Sequence, residues 1–286
     1  QEGGRVQRLK APLTVLPPML HVGNTRDPNV AVAVGQLLGD ELAALGFNLD
    51  FAPVADVWTE PANQVIGDRA FATEPERAAQ MAGSLALGLT MSGVIACAKH
   101  FPGHGDTAVD SHLALPVVER EEPDLRHTEL PPFRAAVEAG VGTMMSSHVV
   151  YPAWDEELPA TLSPRILPRL LREELGYDGV VFSDDLEMKA VAGRWTVEEQ
   201  VRYATDASID VMLCCRDPGL QVRVYEELVR AMEEDRRWHR ASEDATGRVK
   251  RLRERFLLGR APDPDLSVVG TMEHKVLAEL ARARGA

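Results

Sequence analysis

Two rhythms of apolar residues alternate along the chain. Five short runs, 48–54 (NLDFAPV), 94–100 (VIACAKH), 142–149 (GTMMSSHV), 179–185 (GVVFSDD) and 209–215 (IDVMLCC), are apolar or β-rich and lack the alternation of a half-wetted strand. Bounded by Gly, Pro or Asp, they read as strands covered on both faces of a parallel sheet. Between them apolar residues recur at spacings of three and four, which predicts helices over 29–45, 74–91, 130–139, 164–175, 197–207 and 219–234. Gly46, Gly93, Gly140 and Gly176 follow four of these as stop signals, and Ser163 is the expected N-cap of the helix at 164–175.

Strand–helix alternation of this kind builds either a barrel or an open doubly wound sheet. The polar residues decide between them, because they follow the strands and do not precede them. Asp56 follows the first run, Lys99 and His100 end the second, His148 ends the third, and Asp184 and Asp185 end the fourth. Side chains at the C-terminal ends of several strands converge on one mouth in a barrel, whereas an open sheet concentrates its contacts at one switch point. The expected fold is therefore α/β, a TIM-type (β/α)8 barrel, in one domain over 1–286 without repeat or linker. Five runs are too few for eight strands, and the opening Q1-E-G-G-R-V-Q-R8 reads as a loop leaving a strand. The first strands are thus expected upstream, in roughly 60 residues at about 30 per βα unit.

Charge removes some partners. The chain has 31 basic and 44 acidic residues, a net charge of −13, and no basic run, which argues against nucleic acid and an anionic membrane. No stretch of about 18 apolar residues marks a membrane span. No glycine-rich phosphate loop follows a strand. Cys97, Cys214 and Cys215 read as reduced, buried core residues, so a cytoplasmic location is expected, with the reservation that a chain opening at Gln1 leaves a signal peptide open.

Candidate chemistry lies in two places. In V180-V-F-S-D-D-L-E-M188 an apolar run ends in two carboxylates that face opposite ways. Asp184 suits a nucleophile or general base, and Asp185 an N-cap for a helix starting near Leu186. The stretch K99-H-F-P-G-H-G-D-T-A-V-D-S-H112 supports three readings. His100, His104, Asp106 and His112 could ligate a metal, though no H-E-x-x-H or paired-cysteine pattern supports this. Asp110 and His112 could form a proton-transfer pair, the carboxylate orienting the ring. The stretch could also be a solvated polar loop. Lys99 and Arg69 (in I66-G-D-R-A-F71) are multi-donor cations suited to gripping a polar ligand.

These segments together resemble the bacterial β-N-acetylglucosaminidases of glycoside hydrolase family 3, the type that works in cell-wall recycling. QEGGRVQR, NLDFAPVADV, IGDRAF, KHFPGHGDTAVDSH, SSHVVYP and ELGYDGVVFSDDLEM occur in the family's order over about residues 1–215. The resemblance implies a TIM-type barrel and a retaining exo-glycosidase that releases β-linked N-acetylglucosamine from peptidoglycan fragments. It implies Asp184 as nucleophile, His112 as general acid and then base with Asp110 as its partner, and Arg8, Arg69, Lys99 and His100 as sugar-binding residues. No metal and no organic cofactor are implied, and the partner is the carbohydrate substrate of a monomeric enzyme. In the family an aspartate directly precedes Q-E-G-G-R; here the sequence opens at Gln1. The alternatives are a family 3 exo-β-glucosidase and a non-catalytic sugar-binding relative.

Overall fold

The computed structural model describes residues 1–108, 115–258 and 265–285. Its centre is an all-parallel sheet of five strands in sequential order: β1 (Leu49–Asp50), β2 (Ile95–Phe101), β3 (Thr143–Ser146), β4 (Val180–Asp185) and β5 (Val211–Leu213). Helices α1 (Met19–Asn24) and α2 (Pro28–Ala44) precede β1, and α3 (Pro75–Met91) precedes β2. Next come α4 (Glu122–Thr128), α5 (Leu130–Glu138), a π-helix at Leu167–Glu174, α6 (Lys189–Ala192) and α7 (Val197–Asp206). After β5 the chain is helical: α8 (Pro218–Glu234), α9 (Arg236–Phe256) and α10 (Met272–Gly285). The described residues thus form an α/β fold with five parallel strands, as many as the five apolar runs, and not a full eight-stranded barrel. Among them no helix is long and apolar enough to cross a membrane.

Local chemistry sets the helix ends. Asp27 and Asp217 each stand before a proline at the first helical position and accept from Asn29 N–H (3.0 Å) and Gly219 N–H (2.8 Å). Thr196 and Glu199 close a reciprocal capping box on α7. Behind α3 the chain turns at Gly93 (φ +80°), whose N–H reaches the Thr90 carbonyl while Val94 N–H reaches Leu89. Gly140 (φ +77°) repeats this behind α5, with Val141 N–H on Ala136. A left-handed residue here costs glycine little and caps the last carbonyls, so the strand starts within a few residues of the helix end.

The strands are buried because helices cover them. Val34 and Leu38 of α2, with Met81, Leu85 and Leu89 of α3, share one core with Ala96, Ala98 and Phe101 of β2. Phe101 meets Phe133 of α5 edge-on at 5.1 Å.

Several expectations need adjustment. The run 48–54 pairs as a strand only at Leu49–Asp50, with one further bridge from Val54 to Lys99. Pro53 has no N–H to give, yet it stays alongside β2 and accepts from Lys99 N–H at 3.1 Å. The segment 164–175 is helical but π-wound, with Pro168 in its first turn unable to donate. Ser163 does receive Arg165 and Ile166 N–H, as a cap should. No helix starts near Leu186; Asp185 instead takes Glu187 N–H in a turn, and α6 starts at Lys189. Cys97 is buried, but Cys214 is half-buried and Cys215 exposed, against the expectation of three core thiols. They follow β5, which among the described residues has a strand neighbour on one side only.

The end of the sheet opposite the candidate chemistry is tied by Asp210. Its side chain is fully buried and accepts from Val181 N–H, Arg172 and Arg248, each at 2.8 Å. Arg172 spends further donors on the Tyr177 and Gly179 carbonyls. Asp210→Ala strands both guanidiniums beside the entries to β4 and β5 and is expected to cost about 3–5 kcal/mol. Urea unfolding measures it, and a loss below about 1 kcal/mol, the scale of a surface pair, would show that the network is solvent-bridged.

Candidate active site

The polar residues after the strands meet at one end of the sheet. Two irregularities put them there. Between Ala98 and Phe101 β2 carries one residue more than β3, and between Phe182 and Asp185 β4 carries one more than β5. Extra residues of this kind bend a strand and re-aim its side chains. Lys99 and His100 lie inside the first irregularity, Ser183 and Asp184 inside the second. At the second, Ser183 Oγ takes the Leu213 N–H at 2.9 Å.

Asp56, wholly buried, anchors the loop beyond β2. One oxygen accepts from His100 N–H (3.0 Å) and His104 N–H (2.8 Å), and the other meets His100 Nδ1 at 2.7 Å. Burial pushes its carboxyl up, but His100 outweighs that and holds it below the ordinary range. His104 packs edge-on against His100 at 5.8 Å and meets Thr107 Oγ1 at 2.9 Å. Burial, then His100, lowers its pKa to about 4, so its ring is neutral near pH 7. Asn63 bonds the His104 carbonyl (2.7 Å) and receives Val65 and Ile66 N–H, which ties the loop to the turn that carries Arg69.

Arg69 and Lys99 converge on Glu2, which is 2% exposed. Arg69 donates from Nε (2.7 Å) and Nη2 (2.9 Å), and Lys99 Nζ stands 2.6 Å from the same carboxylate. Burial raises the Glu2 carboxyl, and the two cations more than reverse this, holding it well below the ordinary range.

Asp184 is partly exposed, and its Oδ1 accepts from Asp185 N–H at 2.8 Å. Burial again pushes upward, while His100, His148, that N–H and Lys99 together hold the carboxyl below the ordinary range. Among the described residues no cation pairs with it directly. His148 donates Nε2–H to the Asp185 carbonyl (3.1 Å), since a carbonyl can only accept, and its Nδ1 meets Thr161 Oγ1 at 2.9 Å. His148 thereby braces β3 against β4.

An ionised carboxylate thus stands at a strand end beside committed cations and a histidine cluster. Residues 1–252 match the glycosyl hydrolase family 3 N-terminal domain. The chain belongs to this family. A β-hexosaminidase of Thiobacillus denitrificans is 43% identical over 233 residues, covering 79% of the chain and 64% of that protein. One from Neisseria meningitidis serogroup B is 41% identical over 234 residues, with the same coverage. A family 3 β-N-acetylglucosaminidase from a Paenibacillus species superposes with a TM-score of 0.91 at 37% identity, over 100% of this chain and 55% of that one. NagZ from Neisseria gonorrhoeae superposes at 0.81 and 34% identity, over 100% and 80%. The chain thus spans just under two thirds of the length of these β-hexosaminidases.

Within this family 3 chain, the structure brings Asp184, Arg69, Lys99 and His100 to one place. Arg8, on the opening loop, is exposed, and among the described residues its guanidinium makes no hydrogen bond or ion pair. Asp110 and His112 lie outside the described residues. Asp106, one of the candidate metal ligands, is committed to Thr59 (2.6 Å) and Arg120 (2.6 and 2.8 Å). Glu2 and Glu129 escaped the sequence reading. The signal for Glu2 was an acid beside two glycines in a chain whose two site cations lacked an anion. For Glu129 it was an acid leading into the apolar L-P-P-F.

Glu129 is 1% exposed between α4 and α5, and among the described residues neither carboxyl oxygen has a hydrogen-bond partner. It lies against Gly103, where an added Cβ would stand 2.0 Å from Oε2. Burial first, then Asp56 and Asp106, push its carboxyl well above the ordinary 4.5. An acid with a raised folded-state pKa stabilises the fold at acid pH, and that contribution fades as pH climbs above the unfolded value. Glu129→Gln, neutral throughout, should therefore gain on the wild type by up to about 1.4 kcal/mol per pH unit. Urea unfolding from about pH 5 to about pH 8 reads this slope, and a pH-independent difference between the two proteins would refute a neutral Glu129.

Proposed function

We propose that this chain carries the catalytic machinery of a retaining exo-β-N-acetylglucosaminidase that removes terminal β-linked N-acetylglucosamine from peptidoglycan fragments. The observation that carries the reading is Asp184. It is an ionised, partly open carboxylate at the end of β4, held by one main-chain N–H and facing a cluster of polar donors. The β-hexosaminidase and β-N-acetylglucosaminidase relatives support the sugar, and the resemblance to the cell-wall recycling type supports the source. The sequential, all-parallel strand order supports taking the sheet as an arc of a TIM-type barrel with its site at the C-terminal ends.

In the first step an Asp184 oxygen attacks the anomeric carbon while His112 gives its proton to the leaving oxygen. A glycosyl ester forms and the glycosidic bond breaks. In the second, His112 takes a proton from water as the water oxygen displaces Asp184 and releases the sugar. Asp110 orients His112 in both steps; the roles of this pair rest on the family resemblance. Arg69, Lys99 and His100 hold the sugar hydroxyls, with Arg8 reaching in from the opening loop. A neutral sugar suits them, since each cation retains donors beyond its ion pair.

Asp184→Asn is expected to lower kcat on an aryl β-N-acetylglucosaminide on the order of a thousandfold or more, with KM little changed. Full activity in that variant would remove Asp184 from the mechanism. A fluorinated N-acetylglucosaminide should leave a sugar mass on the Asp184 peptide. Faster turnover of an aryl glucoside would reassign the enzyme as a β-glucosidase, and no turnover of either would point to a sugar-binding protein.

A further inference from the structure

Glu2 comes from the opening loop, Arg69 from the turn after β1, and Lys99 from β2, and no sequence spacing brings them together. The loop is rigid where Glu2 leaves it. Glu2 N–H bonds the Val6 carbonyl at 2.9 Å, Val6 N–H bonds Gly3 at 3.1 Å, and Gly4 N–H bonds Leu16 at 3.1 Å. From this turn the side chain meets Arg69 through two parallel bonds, the fork-to-fork geometry that fixes a guanidinium in its plane. A third Arg69 bond, Nη1 to the Val65 carbonyl at 2.9 Å, leaves the guanidinium no rotational freedom. Lys99 shares Oε1, so one carboxylate sets the position of both cations.

Donor counting shows what this leaves for a ligand. A guanidinium has five N–H donors, and Arg69 commits three. An ammonium has three, and Lys99 commits one. Each cation therefore keeps two donors in a fixed direction. The charge count matters as much. Two cations this close, with side chains 12% and 9% exposed, would form a strong anion seat if nothing else filled it. Glu2 already fills that seat.

We propose that Glu2 is the positioning and specificity residue of the sugar subsite: it orients Arg69 and Lys99 for neutral hydroxyls and occupies the place an anionic ligand would take. This rests on the sugar-binding role given above to Arg69 and Lys99. Removing the charge while keeping the shape should therefore do two things. It should loosen the grip on sugar, and it should create affinity for a small anion that the wild type lacks. A purely structural carboxylate would not produce the second effect.

The test uses Glu2→Gln, Glu2→Asp and the wild type, with inorganic phosphate as the probe. For Glu2→Gln, KM for the aryl N-acetylglucosaminide should rise roughly 10- to 100-fold with a smaller change in kcat, the scale of a charged hydrogen bond. Phosphate should then inhibit competitively and bind one per chain by calorimetry, at concentrations where the wild type binds none. Glu2→Asp keeps the charge but withdraws it by one methylene, so KM should rise without phosphate binding. An unchanged KM and no phosphate binding in Glu2→Gln would overturn the proposal. Should Glu2→Gln fail to fold, Glu2→Asp decides, and an unchanged KM there overturns it equally. A wild type inactive on every aryl glycoside would defeat the glycosidase reading instead, and phosphate calorimetry on Glu2→Gln would still test the anion seat.

Discussion

A carboxylate cut off from solvent must collect donors, because an uncompensated buried charge costs several kcal/mol. Asp56 collects them from the end of β2 and the loop beyond it: the main-chain N–H of His100, the main-chain N–H of His104, and the His100 ring. That requirement folds residues 101–107 back over the continuation of β1. Ala55 N–H bonds the Lys99 carbonyl at 2.6 Å, and Gly105 comes so close to the Val57 carbonyl that a Cβ there would stand 1.6 Å away. Asn63 carries the constraint onward to the turn holding Arg69. The positions of His100, Lys99 and Arg69 thus follow from satisfying one buried charge.

The two strand irregularities work with this constraint. Regular alternation would send successive residues of β2 and β4 to opposite faces of the sheet. One extra residue in each breaks the alternation where the chemistry is needed. The hydrogen-bond ladder is repaired locally: Ser183 Oγ takes the Leu213 N–H, and Leu186 N–H reaches the Leu213 carbonyl. Asp185 then serves the turn, accepting from Glu187 N–H, while Asp184 stays turned toward the polar cluster. Two adjacent aspartates thereby take different tasks without any difference in residue type.

The strands were legible because burial on both faces leaves continuous apolar runs: four of the five observed strands fall inside their runs, and β2 overruns 94–100 by one residue, Phe101. The long helices were legible through their period and through punctuation such as Gly46, Gly93 and Gly140. Strand ends were not: regular pairing of β1 stops at Asp50 although Ala52 and Pro53 still accept from Cys97 and Lys99 N–H, which composition does not show. Short helices such as α1 and α4 are too brief to show a period. Lys99, His100 and Asp184 stood out because they end apolar runs. Glu2 could not, since its partner Arg69 lies 67 residues away and only the fold joins them. The exposure of Cys215, beyond a strand whose only strand neighbour among the described residues is β4, is not something composition reveals.

Glu2 and Glu129 show how far surroundings outweigh residue type. Both are glutamates with almost no exposed surface, and burial pushes both carboxyls upward. Two cations reverse the push at Glu2, whereas Asp56 and Asp106 reinforce it at Glu129. One of these glutamates is thus held toward its ionised form and the other pushed toward its neutral form. The ionised one bears on Asp184 as well. A nucleophile must be charged yet not neutralised by a tight ion pair, since a carboxylate locked to a guanidinium gives up electron density to it. Lys99 and Arg69 act on Asp184 from a distance, and Arg69 also on Asp56, but their ion pairs go to Glu2. By holding both cations, Glu2 leaves Asp184 below the ordinary carboxylate range through the collective field of the site, as the nucleophile proposed above requires.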